Sequence, residues 1–214
     1  MKIEERFYDK FWEKEYQGVI IEKESRIDVA LKMLENGDKL LDVGCGNGNL
    51  GYFAKNNYSK IYGIDLSDIA LKTARKRGLI AKKINVNDEK IPFSNNFFDA
   101  VVCLDVIEHV FEPRTLVEEI SRVIKKDGIL IISIPNIRYW KHILKLVFQG
   151  KFPKTADDSE HWDGGHLHYF TSYDIEKLLK KYSFKIQRKK GVYGRNFFKE
   201  FSSTGIVMKF KCLK

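Results

Sequence analysis

The sequence predicts an α/β fold: a seven-stranded, mostly parallel sheet with helices on both faces. Three observations carry that prediction. Short apolar runs alternate with amphipathic helical stretches from about residue 39 to residue 134, an order that calls for parallel strands joined by right-handed crossovers. The first run, Leu40-Leu41, ends at Asp42 and is followed by Gly44, Gly46 and Gly48 at alternate positions, as when a buried strand passes into a glycine-rich turn. The second run, Ile61 to Ile64, ends in Asp65, 21 positions after Gly44. An acid at about that distance is where a nucleotide-type fold holds ribose hydroxyls.

Each element has its own signal. Ile3 to Gln17 carries Phe7, Tyr8, Phe11, Trp12 and Tyr16 at helical spacing, with Gly18 to stop the helix. Glu24 to Glu35 repeats the pattern through Ile27, Ala30, Leu31 and Leu34. Both precede the first strand and serve as lid or flank. After the glycine turn, Leu50, Phe53 and Ala54 mark the first crossover helix. Ser67 caps a second through Ala70, Leu71 and Ala74, with Arg75, Lys76 and Arg77 at its negative end and Gly78 beyond. A third strand lies near Leu79 to Val86, and Phe97 to Leu104 is a fourth. Pro113 suits the first turn of a helix whose Leu116, Ile120, Val123 and Ile124 face inward. Asp127-Gly128 then turns the chain into the fifth strand, Ile129 to Ile134.

The chain changes character after Pro135. Asn136 to Phe170 is rich in aromatics and histidines and lacks strand periodicity. Within it Trp140, Ile143, Leu144 and Val147 make one helix face, and Arg138, Lys141, His142 and Lys145 another. A basic amphipathic helix of this kind can lie on a membrane surface; a cap helix over the open end of the sheet is the simpler reading. Thr171 and Asp174 open a further helix with a capping box. The last two strands, near Phe184 to Arg188 and Gly205 to Cys212, are too close for a full helical crossover and pair antiparallel. The expectation is one domain: a helical lid (1–37), a cofactor-binding core (38–135), a substrate cap (136–170), and a final helix with antiparallel strands (171–214).

Length and composition are compatible with that domain. The 214 residues are 43% hydrophobic and 31% charged, ordinary values for a soluble protein. The N-terminal MKIEERFYDK has no apolar core for export, and the longest strongly apolar run, Gly128 to Ile134, is too short to span a bilayer. Three widely spaced cysteines, Cys45, Cys103 and Cys212, suggest reduced thiols and a cytoplasmic setting. The formal charge is +9, and Lys177 to Lys214 holds twelve Lys and Arg against one acid, Glu200. Such a balance suits an acidic partner, a phosphorylated substrate or nucleic acid, and equally a solvated basic face with no partner.

The glycine turn restricts the cofactor. A dinucleotide fingerprint needs a glycine at position 49, which is Asn49. No Gly-Lys-Ser/Thr follows, so a phosphate loop is excluded as well. Asp42 at the mouth of the turn would repel a pyrophosphate and suit a ligand carrying ammonium and sulfonium groups. Together LLDVGCGNG, YGIDLS and EKIPFSNNFFDAVVCLDVIEHV resemble the motifs of class I S-adenosylmethionine-dependent methyltransferases, with a Rossmann-like fold. The resemblance covers about residues 25 to 190. The later segments SIPNIRYWKHILKLVFQGKFP and HLHYFTSYDIEKLL are similar to those of the ubiquinone-biosynthesis, methionine-biosynthesis protein W-like and polysaccharide-cluster enzymes.

That resemblance implies S-adenosylmethionine as cofactor, S-adenosylhomocysteine as product, and a set of roles. Gly44, Cys45 and Gly46 would present backbone to the methionine portion, and Asp65 would accept hydrogen bonds from both ribose hydroxyls. Asp42 would fix the turn or face the ammonium, and Leu66 would lie on the adenine. The acid that binds the adenine amino group in relatives is replaced by Asn87, with Asp88 beside it, and the role lies open between the two. Asp105 sits where the reactive methyl emerges at the carboxyl edge of the sheet. Tyr8, Trp12 and Arg26 are placed to close over the cofactor, although helix packing accounts for the two aromatics.

Methyl transfer to a hydroxyl gains from a base, and three of the five histidines, His161, His166 and His168, fall in the octet HWDGGHLH. His166 or His168 is the candidate base. Asp105, Glu108 and His109 form D-x-x-E-H, which a cap histidine would extend to a divalent-metal set; structural or cofactor-side roles are preferred, and no metal is assigned. The expected activity is methylation of a small acidic or sugar-like acceptor, with oxygen attack favoured. Nucleic-acid methylation is less favoured, because Leu104-Asp105-Val106-Ile107 stands where base-amine enzymes carry N/D-P-P-Y. A cofactor-binding protein without chemistry is the third reading.

Overall fold

The computed structural model describes residues 3–14, 18, 21–155, 165–193 and 200–214. Seven strands form one sheet: β1 (Gly37–Val43), β2 (Tyr58–Asp65), β3 (Ile80–Lys83), β4 (Phe98–Leu104), β5 (Ile124–Pro135), β6 (Phe184–Val192) and β7 (Gly205–Cys212). Their spatial order is β3-β2-β1-β4-β5-β7-β6. The first five are mutually parallel, and β7 runs antiparallel to both its neighbours.

Residues that alternate along the central strands divide between the two faces, as strand geometry requires. Leu41, Val43, Val101, Leu130 and Ile132 enter one core cluster, which Leu116, Val117 and Ile120 of α5 (Pro113–Val123) and Ile175 and Leu179 of α7 (Ser172–Lys180) complete. Leu40, Ala100, Val102 and Ile131 enter the other. It is covered by α2 (Arg26–Leu31), α3 (Asn49–Ala54) and α4 (Asp68–Lys76). The near-continuous apolar runs read from the sequence follow from burial on both sides.

Several boundaries differ from expectation. The second N-terminal helix shrinks to six residues behind the Ser25 cap, whose side chain accepts from Asp28 N. No helix joins β3 to β4. That crossover is a loop held by Arg122 of α5, which donates to Ile91 O and Phe93 O at 2.7 Å each and pairs with Glu119. Ile124, expected on α5, starts β5 by pairing with Phe98. The cap helix α6 (Trp140–Gln149) buries no residue; of its expected inward face only Ile143 is half-buried, with His142 beside it. An apolar helix stripe needs a partner surface, and the sheet end offers it none along most of its length.

Chain order reverses between β1 and β4, which lie side by side and lead away in opposite directions. The crevice beyond their carboxyl ends is where such sheets take ligands. The lid helix α1 (Ile3–Lys14) lies against α4 and reaches this crevice.

Candidate active site

Residues 44–48 wind in the left-handed region at three points, Gly44 (φ +69°), Gly46 (φ +50°) and Gly48 (φ +81°). Gly44 N and Cys45 N donate to Ile64 O at 2.9 and 3.0 Å, tying the turn to the end of β2. Asp65 completes the tie: one carboxylate oxygen accepts from Gly46 N at 2.8 Å and the other from Ser67 N at 2.9 Å. Burial raises the Asp65 pKa while these backbone donors pull it down. Leu66, half-buried after β2, adds its own backbone N–H to that set.

The fingerprint glycine missing at Asn49 has its structural work done one residue earlier. A Cβ on Gly48 would come 2.9 Å from Ala74 Cα, so this position allows turn and helix to close together. Asn49 instead starts α3 and accepts from Arg77 at 2.7 Å. The buried Arg77 guanidinium also donates to Asn47 O at 2.9 Å and Gly18 O at 2.7 Å, holding the far side of the turn. Arg77→Ala is expected to cost about 3 kcal/mol in urea unfolding, since buried carbonyls lose a charged donor.

Cys45 points its thiol inward: a Cβ on Gly63 would meet its Sγ, and burial pushes the thiol well up. It therefore offers a ligand backbone only. Asp42, 4% exposed, is pushed up to about 8, by burial first and by Asp65 second. A carboxyl in that state is mostly protonated at neutral pH and gains from an arriving cation. A bare glycine cradle beside such a carboxyl fits the ammonium and sulfonium of S-adenosylmethionine.

Glu4, Tyr8 and Trp12 share one face of α1 at i, i+4, i+8, and this face meets the crevice. A Cβ on Gly46 would collide with the Trp12 indole. Tyr8 stands near both Asp65 and Glu108, and its hydroxyl pKa is driven up by burial and then by those charges. Both aromatics are packed, as the sequence reading has them, and the surface they pack on is the glycine turn and its surroundings. Asp9, which sequence reasoning passed over, accepts from Ser67 Oγ at 2.5 Å and so anchors the lid to the α4 cap.

The two candidates for the adenine contact have different partners. Asn87 Oδ1 accepts from Phe111 N at 2.8 Å, tying this loop to the β4–α5 loop. Asp88 accepts from the buried Asn85 at 2.8 Å. Asn85 also donates to Glu4 of the lid at 3.2 Å, a link no motif announced.

At the carboxyl edge of β4, Asp105 adopts φ +51°. Its N donates to Ser133 Oγ at 3.0 Å, the Ser133 hydroxyl donates back to Oδ1, and Arg26 Nε lies 2.9 Å from Oδ2. Ser133 was legible as the polar residue inside the apolar run of β5, where it pairs with Leu104. Three residues after Asp105, Glu108 is 1% exposed, and burial drives its pKa well up. The His109 and His166 rings pack at 4.6 Å between centroids, and His166 Nε2 lies 4.0 Å from Glu108 Oε1. His168 is elsewhere engaged, with Nε2 on Val110 O at 2.9 Å and its ring stacked on Phe170. His161 falls outside the described residues.

The sheet order, the glycine turn closed by Asp65, and the buried Asp42 beside it are those of a class I S-adenosylmethionine-dependent methyltransferase. Residues 25–208 match the methionine biosynthesis protein MetW family, and the chain belongs to that family. It is 30% identical over 179 residues to an uncharacterized protein of Methanocaldococcus jannaschii, covering 83% of this chain and 67% of that one. It is also 35% identical over 105 residues to the ubiquinone biosynthesis O-methyltransferase of Alkalilimnicola ehrlichii, covering 47% of this chain and 42% of that enzyme. The chain thus spans about two thirds or less of these curated relatives' lengths. Among solved structures, an S-adenosylmethionine-dependent methyltransferase of Thermotoga maritima, a possible histamine N-methyltransferase, shares the fold. Its TM-score is 0.65 at 20% identity, over 86% of each chain. Among the described residues no helix is long and apolar enough to cross a membrane.

Proposed function

We propose that the chain methylates an oxygen of a small acceptor, acidic or sugar-like, with His166 taking the acceptor's proton. The observation that carries this reading is the convergence of Asp105, Glu108, His109 and His166 at the carboxyl edge of β4, beside the glycine turn. S-adenosylmethionine supplies an electrophilic methyl on a sulfonium. The residues supply alignment and dryness, from which most of the acceleration in such a displacement comes. Gly44 and Gly46 offer backbone, Asp65 the ribose acceptors, and Asn87 or Asp88 an adenine contact, while Tyr8 and Trp12 of the lid exclude water. Asp105, held by Ser133 and Arg26, marks the methyl's exit.

Between the two candidate bases, His166 has the supporting geometry. Its Nδ1 lies 2.7 Å from Thr155 Oγ1, fixing the ring, and its Nε2 faces Glu108. His168 serves to position the cap. His166→Ala is expected to lower turnover at least ~100-fold with cofactor affinity kept, while His168→Ala acts mainly through stability. Full activity in His166→Ala would remove the base.

The acidic acceptor is supported by the +9 charge and by Lys141, Lys145 and Lys151, in a stretch without an acid; Arg138 at its start already pairs with Glu200. The basic carboxyl third supports nucleic acid less than its composition suggested. Lys189 pairs with Glu176 and Glu200, Lys209 with Glu35, and Lys211 with Asp127. Oxygen as the acceptor atom agrees with the O-methyltransferase names of the ubiquinone-biosynthesis relatives. Labelled methyl transfer into fractionated metabolites and RNA tests the proposal: label in small anionic or sugar-like compounds supports it, and label in RNA overturns it.

A further inference from the structure

Glu108 poses a problem of its own. It is 1% exposed, and neither carboxylate oxygen has a hydrogen-bond partner among the described residues. An ionised carboxylate buried in that state is strongly unfavourable. A neutral acid would still need an acceptor for its O–H, and His166 Nε2 stands 4.0 Å away, beyond hydrogen-bond distance. A group of this kind calls for a ligand.

The surrounding imidazoles indicate which. One ligand atom each from Glu108, His109 and His166 lie within 4.8 Å of one another. Bonds of about 2.0–2.2 Å in a tetrahedral arrangement set ligand atoms roughly 3.4 Å apart, so rotation of the side chains by about an ångström closes the set. Both rings are oriented from behind. His109 Nδ1 lies 3.3 Å from Gly165 O, a group that only accepts, so that nitrogen is the donor, and in the neutral ring the lone pair is then on Nε2. His166 Nδ1 is held by the Thr155 hydroxyl. Histidines bound to metals are oriented in this way, through the nitrogen that does not bind.

The backbone fixes the spacing as well. Leu167 N and His168 N both donate to Glu108 O, at 2.9 and 3.1 Å. His166 is thereby registered against the very residue whose carboxylate lacks a partner. His168, with Nε2 on a carbonyl, is oriented the opposite way and lies outside the set.

We propose that Glu108, His109 and His166 bind a divalent transition-metal ion. One carboxylate and two imidazoles suit Zn²⁺, Mn²⁺ or Co²⁺ and suit the oxygen-seeking Mg²⁺ and Ca²⁺ less. Among the described residues the set has three protein ligands, which would leave a coordination position for an acceptor oxygen. An acceptor hydroxyl there would be oriented and made more acidic; it would lose its proton to water and attack the methyl as an alkoxide, and His166 would then act by holding the ion, in place of the direct proton transfer proposed above. That consequence rests on the oxygen-acceptor reading above; ion binding does not.

The test uses the full chain, stripped with a chelator, dialysed and titrated with Co²⁺, with Zn²⁺ in competition. About one Co²⁺ per chain should bind, with visible absorption of a low-coordinate site that Zn²⁺ abolishes. Glu108→Gln and His166→Ala should each weaken binding more than about 100-fold, beyond the usual effect of a merely orienting residue. His168→Ala should bind as the parent does, and a thermal shift with S-adenosylmethionine confirms that each variant is folded. No stoichiometric binding, or unchanged binding in Glu108→Gln, overturns the site. Restored methyl transfer on adding Zn²⁺ or Mn²⁺ to stripped enzyme supports the ion's part in the reaction. Full transfer without metal, with Co²⁺ binding intact, overturns that part while the site stands.

Discussion

Asp65→Ala is expected to raise the dissociation constant for S-adenosylmethionine more than about 100-fold. Two hydrogen bonds from ribose hydroxyls to a carboxylate are together worth about 3 kcal/mol or more. The same change removes the acceptor of Gly46 N and Ser67 N, so the turn itself should loosen and the thermal midpoint fall. Asp65→Asn separates the effects. It keeps the shape but sets an amide NH2 against one of the two backbone donors, and it weakens the remaining acceptor. Calorimetric titration of both variants, with unfolding followed in parallel, reads the outcome. Undiminished affinity in Asp65→Ala would show that the ribose is held elsewhere.

Asp42→Asn should stabilise the unliganded protein and weaken cofactor binding at once. The folded chain keeps the Asp42 proton up to about pH 8, whereas an unfolded chain loses it near pH 4. Ionising this carboxyl therefore costs the folded state progressively as pH rises between those values, and the cost is complete above pH 8. At pH 8 asparagine should gain a few kcal/mol, on the order of 5–10 °C in thermal midpoint. The gap should narrow steadily toward pH 5.5; a gap independent of pH would rule out the carboxyl as its source.

Binding supplies the complementary reading. A cation arriving beside Asp42 draws off its proton, so titrations at pH 7 in buffers of different ionisation enthalpy should show release of nearly one proton. In Asp42→Asn the release should vanish. If both results hold, the turn keeps an unfavourable group in reserve for a positively charged cofactor, and removing it gives a more stable, poorer binder.

Much of this was legible from spacing. Alternate glycines after an apolar run, an acid 21 positions on, and two further strands in order sufficed for the sheet, and the family resemblance of these motifs for the cofactor, because the features are local: a strand, a turn and a cap are each decided by neighbours in sequence. Ser67, Thr171 and Pro113 begin their helices as their residue types predict. The cap helix was misjudged for the opposite reason. Its periodicity is real, but whether an apolar stripe finds a surface depends on where the chain's other end lies.

The sequence by itself determined the fold class, the methyl donor, and the places where Asp42, Asp65 and Asp105 stand at strand ends. Tertiary structure alone decided which side chains face one another across long separations. Asp9 meets Ser67, Asn85 meets the lid, Ser133 grips Asp105, and His166 rather than His168 comes to Glu108 and His109. Periodicity tells which way a residue points from its own element; it does not tell what arrives opposite. That depends on the crossovers and the pairing of β5 with β7, which bring residues distant in sequence to one edge of the sheet.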